Sequence, residues 1–212
     1  MIPLKPLQLE QLAKLFHQGA SEASRALSRW LERNVRVSLD SLDQAAFDEA
    51  TESLGPADAT LCACVMSVKG RFTGKLLFCF DDASGLLLCD LLLGRGTQST
   101  QWGELEGSAA METANIVGCS FLNAVSESMP DSETLDPNAS GGSTRTCVPS
   151  PPQFVRDFAA SIVEFAVMDQ AESSDTILLA RTKFQIDDTP VAWNLLLIPD
   201  ALSLDSMSRV LG

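Results

Sequence analysis

Residues 80–94, FDDASGLLLCDLLLG, return in outline at residues 198–212, IPDALSLDSMSRVLG. With the two stretches set 118 positions apart, Asp82 falls on Asp200, Ala83 on Ala201, Leu86 on Leu204, Leu93 on Leu211 and Gly94 on Gly212. Each reads as the end of a strand, an acidic residue able to cap, and a short helix stopped at glycine. Two such units in one chain point to an internal duplication, so the remainder of the first unit should also have a mate.

The long helical patterns supply that mate. Residues 9–34 place Leu12, Leu15, Phe16, Ala23, Ala26, Leu27 and Trp30 at helical spacing. Residues 108–126, SAAMETANIVGCSFLNAVS, gather Ala110, Ala114, Val117, Phe121 and Val125 on one stripe. Matching Ala26-Leu27-Ser28 to Ala124-Val125-Ser126 sets the two helices 98 positions apart. The spacings differ by 20 residues. Residues 127–153, rich in Pro, Ser and Gly, therefore read as a surface loop inserted after the second helix.

The other stripe of the second helix carries Ser108, Glu112 and Asn115 at i, i+4 and i+7, with Cys119 alongside. An asparagine inside a helix costs about 0.6 kcal/mol against alanine, and nothing local offsets it here. A carboxylate and a carboxamide fixed on one helix face can grip a cation and orient a water. The matching positions of the first helix hold Lys14 and His17. Lysine cannot grip a cation and histidine does not offer the amide's geometry, so the first helix is expected to be structural.

The remaining stretches complete an α+β chain. Residues 61–80 read as a hairpin turning near Lys69-Gly70, and residues 159–169, 175–186 and 191–199 as three further strands. The acidic stretch from Asp40 to Asp58 reads as a solvated connection. The expectation is one domain over residues 1–212, with pseudo-repeats at about 8–96 and 103–212. Its two long helices would pack on a mostly antiparallel sheet.

Bulk properties narrow the function. A chain of 212 residues can bury roughly 70% of its unfolded surface as one domain. A net charge of −13 and a pI near 4.4 oppose binding to nucleic acid or to anionic membranes. No run approaches the roughly 18 apolar residues of a membrane span, and the N-terminus lacks a signal-peptide pattern, so a cytoplasmic protein is expected. Six cysteines without C-x-x-C spacing and a single histidine, His17, predict free thiols and no metal site.

The order of motifs carries a resemblance. FTGKLLFCFDDASGLLLCDLLLGRG (72–96), then GELEGSAAMETANI (103–116), then the closing LLLIPDALSLDSMSRVLG (195–212) resembles the CheC/CheX/FliY family of chemotaxis phosphatases. The likeness spans most of the chain. The length is more like CheC than the shorter CheX, and a FliY-type arrangement with a second, flagellar-switch domain is not expected. The resemblance implies a CheC-like pseudo-two-fold duplication that removes the aspartyl phosphate of a CheY-type response regulator. Asn115 would orient the attacking water, Glu112 would dock the receiver's lysine, and Ser108 would support them. The chain would need no cofactor of its own, Mg2+ being expected on the receiver. The same resemblance implies an alternative, a non-catalytic adaptor that binds a CheD-type deamidase or a receiver. The family motif is followed by a proline, a place for which Pro137, Pro149 and Pro151 compete.

Overall fold

The computed structural model describes residues 4–56, 58–96, 99–127, 146–168 and 176–211. The first run of elements is α1 (Pro6–Leu31), β1 (Val35–Ala46), α2 (Phe47–Leu54), β2 (Thr60–Gly70), β3 (Gly74–Phe80) and α3 (Asp82–Leu92). The second is α4 (Glu104–Glu127), β4 (Cys147–Pro149), β5 (Gln153–Phe158), α5 (Ala159–Met168), β6 (Thr176–Ile186), β7 (Thr189–Pro199) and α6 (Ala201–Val210). The order α-β-α-β-β-α thus runs twice, with the first strand of the second run in two pieces.

The strands form one antiparallel sheet in the order β1-β6-β7-β3-β2-β4, with β5 also on β2. Each half lends its first strand to the other half's hairpin, β1 to β6 and β5 to β2. β3 and β7 pair at the centre, on the pseudo-two-fold axis. The register repeats with the topology. Val35 opposite Ile186 matches Cys147 opposite Gly70, and Gln44 opposite Leu178 matches Arg156 opposite Cys62. Residues 147–158 are therefore the second copy of β1. The irregularity of β1 between Leu39 and Ser41 falls where Pro151 and Pro152 break the second copy. Proline has no N–H for a ladder, so the break sits where the fold already tolerates one.

The 98-position match of the long helices holds at every buried position of α1. Gln8, Leu12, Phe16, Gly19, Ala20, Ala23 and Leu27 are buried, and so are Glu106, Ala110, Ala114, Val117, Gly118, Phe121 and Val125. The helix starts match as well. The backbone N–H of Lys5 donates to Gln8 Oε1 at 2.7 Å, and that of Gly103 to Glu106 Oε2 at 3.1 Å. The short helices need a one-residue correction at their starts. Their N-caps are Asp81 and Asp200, which accept from the N–H groups of Ser84 and Ser203, each at 2.7 Å. Of the two adjacent aspartates, Asp82 is not the cap, because its carboxylate is engaged elsewhere.

Helix serines close the free edges of the first strands. Ser24 and Ser28 of α1 accept from the N–H groups of Val37 and Val35 at 2.8 and 3.0 Å, and Ser126 of α4 accepts from Cys147 at 3.0 Å. Such protection keeps a sheet edge from pairing with another chain. Ser28 and Val35 stand 7 residues apart, whereas Ser126 and Cys147 stand 21 apart. The inserted residues thus fall mainly between α4 and β4. The stretch from Pro130 to Ser143 lies outside the described residues. The far end of the expected loop is corrected, because Cys147–Pro149 is a strand on β2.

Two further expectations are corrected. Residues 159–169 are not a strand, since Ala159–Met168 forms α5 with Ile162, Val163 and Ala166 buried against the sheet. A short apolar run has no periodicity that separates a strand from a buried helix. The stretch from Asp40 to Asp58 is not a connection, as it contains the second half of β1 and all of α2. Its acids lie mostly on exposed positions while Ala45, Ala50 and Leu54 are buried.

The core divides across the sheet. One cluster joins residues of α1, α3, α4 and α6 to one sheet face, and a second joins α2 and α5 to the other. Phe16 of α1 and Phe121 of α4 meet at 5.1 Å between ring centroids.

Candidate functional site

Helix α4 presents Ser108 and Glu112 exposed and Asn115 half-buried, along one side of a groove of about 470 Å³. Met111 shares that side, and the other wall is Pro149, Pro151 and Pro152, where β4 gives way to β5. The three polar residues chosen from the sequence come together, and two of the three candidate prolines face them. Pro137 lies outside the described residues. Pro152 is an addition that sequence spacing did not single out.

Among the described residues, nothing claims the polar side chains of this groove closely. Glu112 has no basic partner among the described residues. Asn115 receives only a long contact from the Cys119 thiol, 3.8 Å to Oδ1, and its amide NH2 has no partner among the described residues. Burial, and then the charge of Glu112, push the Cys119 thiol pKa up, so this sulfur stays neutral beside the amide. The groove therefore offers one negative charge, one neutral group that both donates and accepts, and a rigid apolar wall without N–H donors.

The duplicate position on α1 differs in kind. Glu10, Lys14 and His17 stand where α4 has Ser108, Glu112 and Asn115, and all three are exposed. Lys14 Nζ lies 3.3 Å from Glu10 Oε1, so the ammonium is answered within its own helix.

No family model matches the chain, and no curated protein matches its sequence. Solved structures do match in fold. FliY of Thermotoga maritima is 15% identical, with 99% of this chain and 98% of that one covered and a TM-score of 0.73. The FliM middle domain of H. pylori is 15% identical over 98% and 99% of the two chains, with a TM-score of 0.66. A FliG–FliM complex of the same organism gives 16% identity, 97% and 100% coverage and 0.67.

The chain has the fold of the CheC/CheX/FliY family.

Within this CheC-type fold, one cluster beside the groove escaped the sequence reading. The Asp82 carboxylate, at the first position of α3, accepts from Arg156 Nε and Nη2 at 2.9 and 2.6 Å. It also accepts from Trp102 Nε1 at 2.8 Å and from the Cys62 thiol at 3.2 Å. The Arg156 guanidinium holds its pKa well below the usual carboxylate range. Trp102 in turn lies on Phe154, with ring centroids 4.6 Å apart. The available signal was the pair Asp81-Asp82, since one helix start needs only one capping acid.

All six cysteines are free, and five of them are buried. Among the described residues no helix is long and apolar enough to cross a membrane.

Proposed function

We propose that this chain is a phosphatase for the aspartyl phosphate of a CheY-type receiver domain. The observation that supports it best is the uncommitted Glu112 and Asn115 pair, set on a rigid helix and facing a proline wall across an open groove. A phosphorylated receiver brings its own Mg2+ and lysine, so its helper needs only to dock and to place one water. Glu112 accepts from the receiver's lysine and fixes the docking register. Asn115 holds the water in line with phosphorus, its amide donating to or accepting from that water without changing charge. Water oxygen bonds to phosphorus, the bond from phosphorus to the aspartyl oxygen breaks, and inorganic phosphate and a free carboxylate leave. Ser108, one turn before Glu112, supports the docked surface. The setting is the cytoplasm, where receiver domains work.

The test is to mix the chain with acyl-phosphorylated receivers and follow phosphate release. Release that depends on Asn115 supports the reading, and no release from any receiver overturns it. A second reading draws on the likeness to the FliM middle domain, since FliM of H. pylori is seen in complex with FliG. On that reading the chain is an adaptor for a receiver, a CheD-type deamidase or a flagellar protein. Stable binding of a phosphorylated receiver without any phosphate loss is its signature.

A further inference from the structure

The two halves of this molecule are each other's control. The strand register, and the caps that match Lys5 to Gly103 and Asp200 to Asp81, pair three further positions. Leu4 corresponds to Trp102, Gln44 to Arg156, and Ala201 to Asp82. In the half carrying Lys14 and His17, a neutral hydrogen bond joins Leu4 N–H to Gln44 Oε1 at 2.8 Å. In the half carrying Glu112 and Asn115, the same place holds a carboxylate, a forked guanidinium and an indole. The fold is satisfied by the simple version. The elaborate one occurs only beside the uncommitted groove.

Its members are attached to both sides of that groove. Trp102 lies two residues before the start of α4, and Arg156 lies on β5 four residues after Pro152. Phe154, tilted against Trp102, lies against the first turns of α4, where a Cβ added at Gly107 would stand 3.9 Å from its ring. Asp82 is anchored by α3 and reaches Cys62 in the sheet interior. Gly85 makes room for the arrangement, since a Cβ there would come within 2.6 Å of both Phe80 and Trp102. Its counterpart at the matching position of α6 is Leu204, where no tryptophan needs the space.

We infer that Asp82 is a positioning residue for the α4 groove, tying Arg156 and Trp102 so that the Pro149–Pro152 wall is held at a fixed distance from Glu112 and Asn115. The inference rests on the proposed phosphatase reading for its functional consequence, and on geometry alone for the clamp. Two parallel hydrogen bonds between guanidinium and carboxylate fix orientation as well as distance, which a single neutral bond does not. A site that aligns a water with phosphorus loses rate steeply when its walls shift by an ångström.

The experiment compares Asp82→Asn, Arg156→Gln and Trp102→Phe with Gln44→Ala, the control in the other half, all in the full chain. Trp102→Phe keeps a ring on Phe154 while it removes the N–H donor and trims the indole, so it guards against a simple failure to fold. Amide exchange of residues 147–158 and 102–108 is measured beside KM and kcat on an acyl-phosphorylated receiver. The clamp variants are expected to raise exchange in those two segments about tenfold or more and to leave α1 and β1 unchanged. The value of kcat/KM falls at least tenfold, with most of the loss in kcat, and Asp82→Asn combined with Arg156→Gln is no worse than either alone. Gln44→Ala stays within twofold. Unchanged exchange at the wall, or raised exchange with kcat/KM within twofold, overturns the inference. Should the wild type release no phosphate from any receiver, the phosphatase reading fails separately, and the exchange measurement alone decides the clamp.

Discussion

Gly19 of α1 and Phe121 of α4 meet backbone to backbone, so closely that a methyl group on Gly19 would stand 2.8 Å from the Phe121 Cα. This contact lets the two long helices cross at the pseudo-two-fold axis with Phe16 lying on the Phe121 ring. Gly19→Ala gains roughly 1 kcal/mol of helix propensity but must push α4 away, an overpacking that costs about 1–3 kcal/mol. Net destabilisation in urea unfolding is expected. A more stable variant would mean that the helices are farther apart than described.

Asn115→Ala should lower receiver dephosphorylation by roughly 10²–10³, the usual cost of removing one positioned polar group. Its unfolding midpoint should hardly move, because the amide makes no close hydrogen bond among the described residues and alanine is the better helix former. Single-turnover phosphate release measures the rate, and wild-type turnover by the variant would falsify the role.

Glu112→Gln keeps the shape and removes the charge. Binding of the receiver should weaken and kcat/KM should fall with it, since the lost interaction is an ion pair formed at an interface. The wild-type complex should weaken in the same sense as salt is raised, while the variant responds less. Titration of the receiver at two ionic strengths checks both points. Normal binding with no turnover would move Glu112 from docking to chemistry.

Lys14 and His17 should be silent. His17→Ala is expected to leave turnover within about twofold and stability within about 0.5 kcal/mol, as for an exposed side chain with no partner among the described residues. A stronger form of the same expectation installs Lys14→Glu and His17→Asn in the Asn115→Ala background. Activity should not return, because β1 offers no proline wall and Gln44 no charged clamp on that side. Recovery of phosphatase activity would show that the glutamate and asparagine suffice on any long helix of this fold.

Local chemistry made much of this protein readable from its sequence. The apolar stripes of α1 and α4 were legible because a helix repeats every 3.6 residues, so Leu12, Phe16 and Leu27 announce one face without reference to any partner. The same periodicity put Ser108, Glu112 and Asn115 on a shared line. The acidic starts of α3 and α6 and the glycine end of α3 were legible because caps act over three or four residues. The duplication followed from those local marks, and the buried positions of the two helices agree with it residue by residue.

Other features depended on contacts that no local pattern encodes. Residues 159–168 are apolar enough for a buried strand or a buried helix, and only the sheet face beneath Ile162 and Val163 decided between them. The stretch from Asp40 to Asp58 reads as solvated because six acids are spread through its 19 residues. Pairing with β6 made much of it a strand, although β6 lies more than a hundred residues away. The choice of Asp81 over Asp82 as the cap needed Arg156, 74 positions along the chain, to claim the second carboxylate. The groove itself is the clearest case. Its helix was visible in the sequence, but its opposite wall arrives through a strand exchanged between the two halves. Periodicity specifies which face a residue occupies, whereas long-range pairing specifies what that face meets.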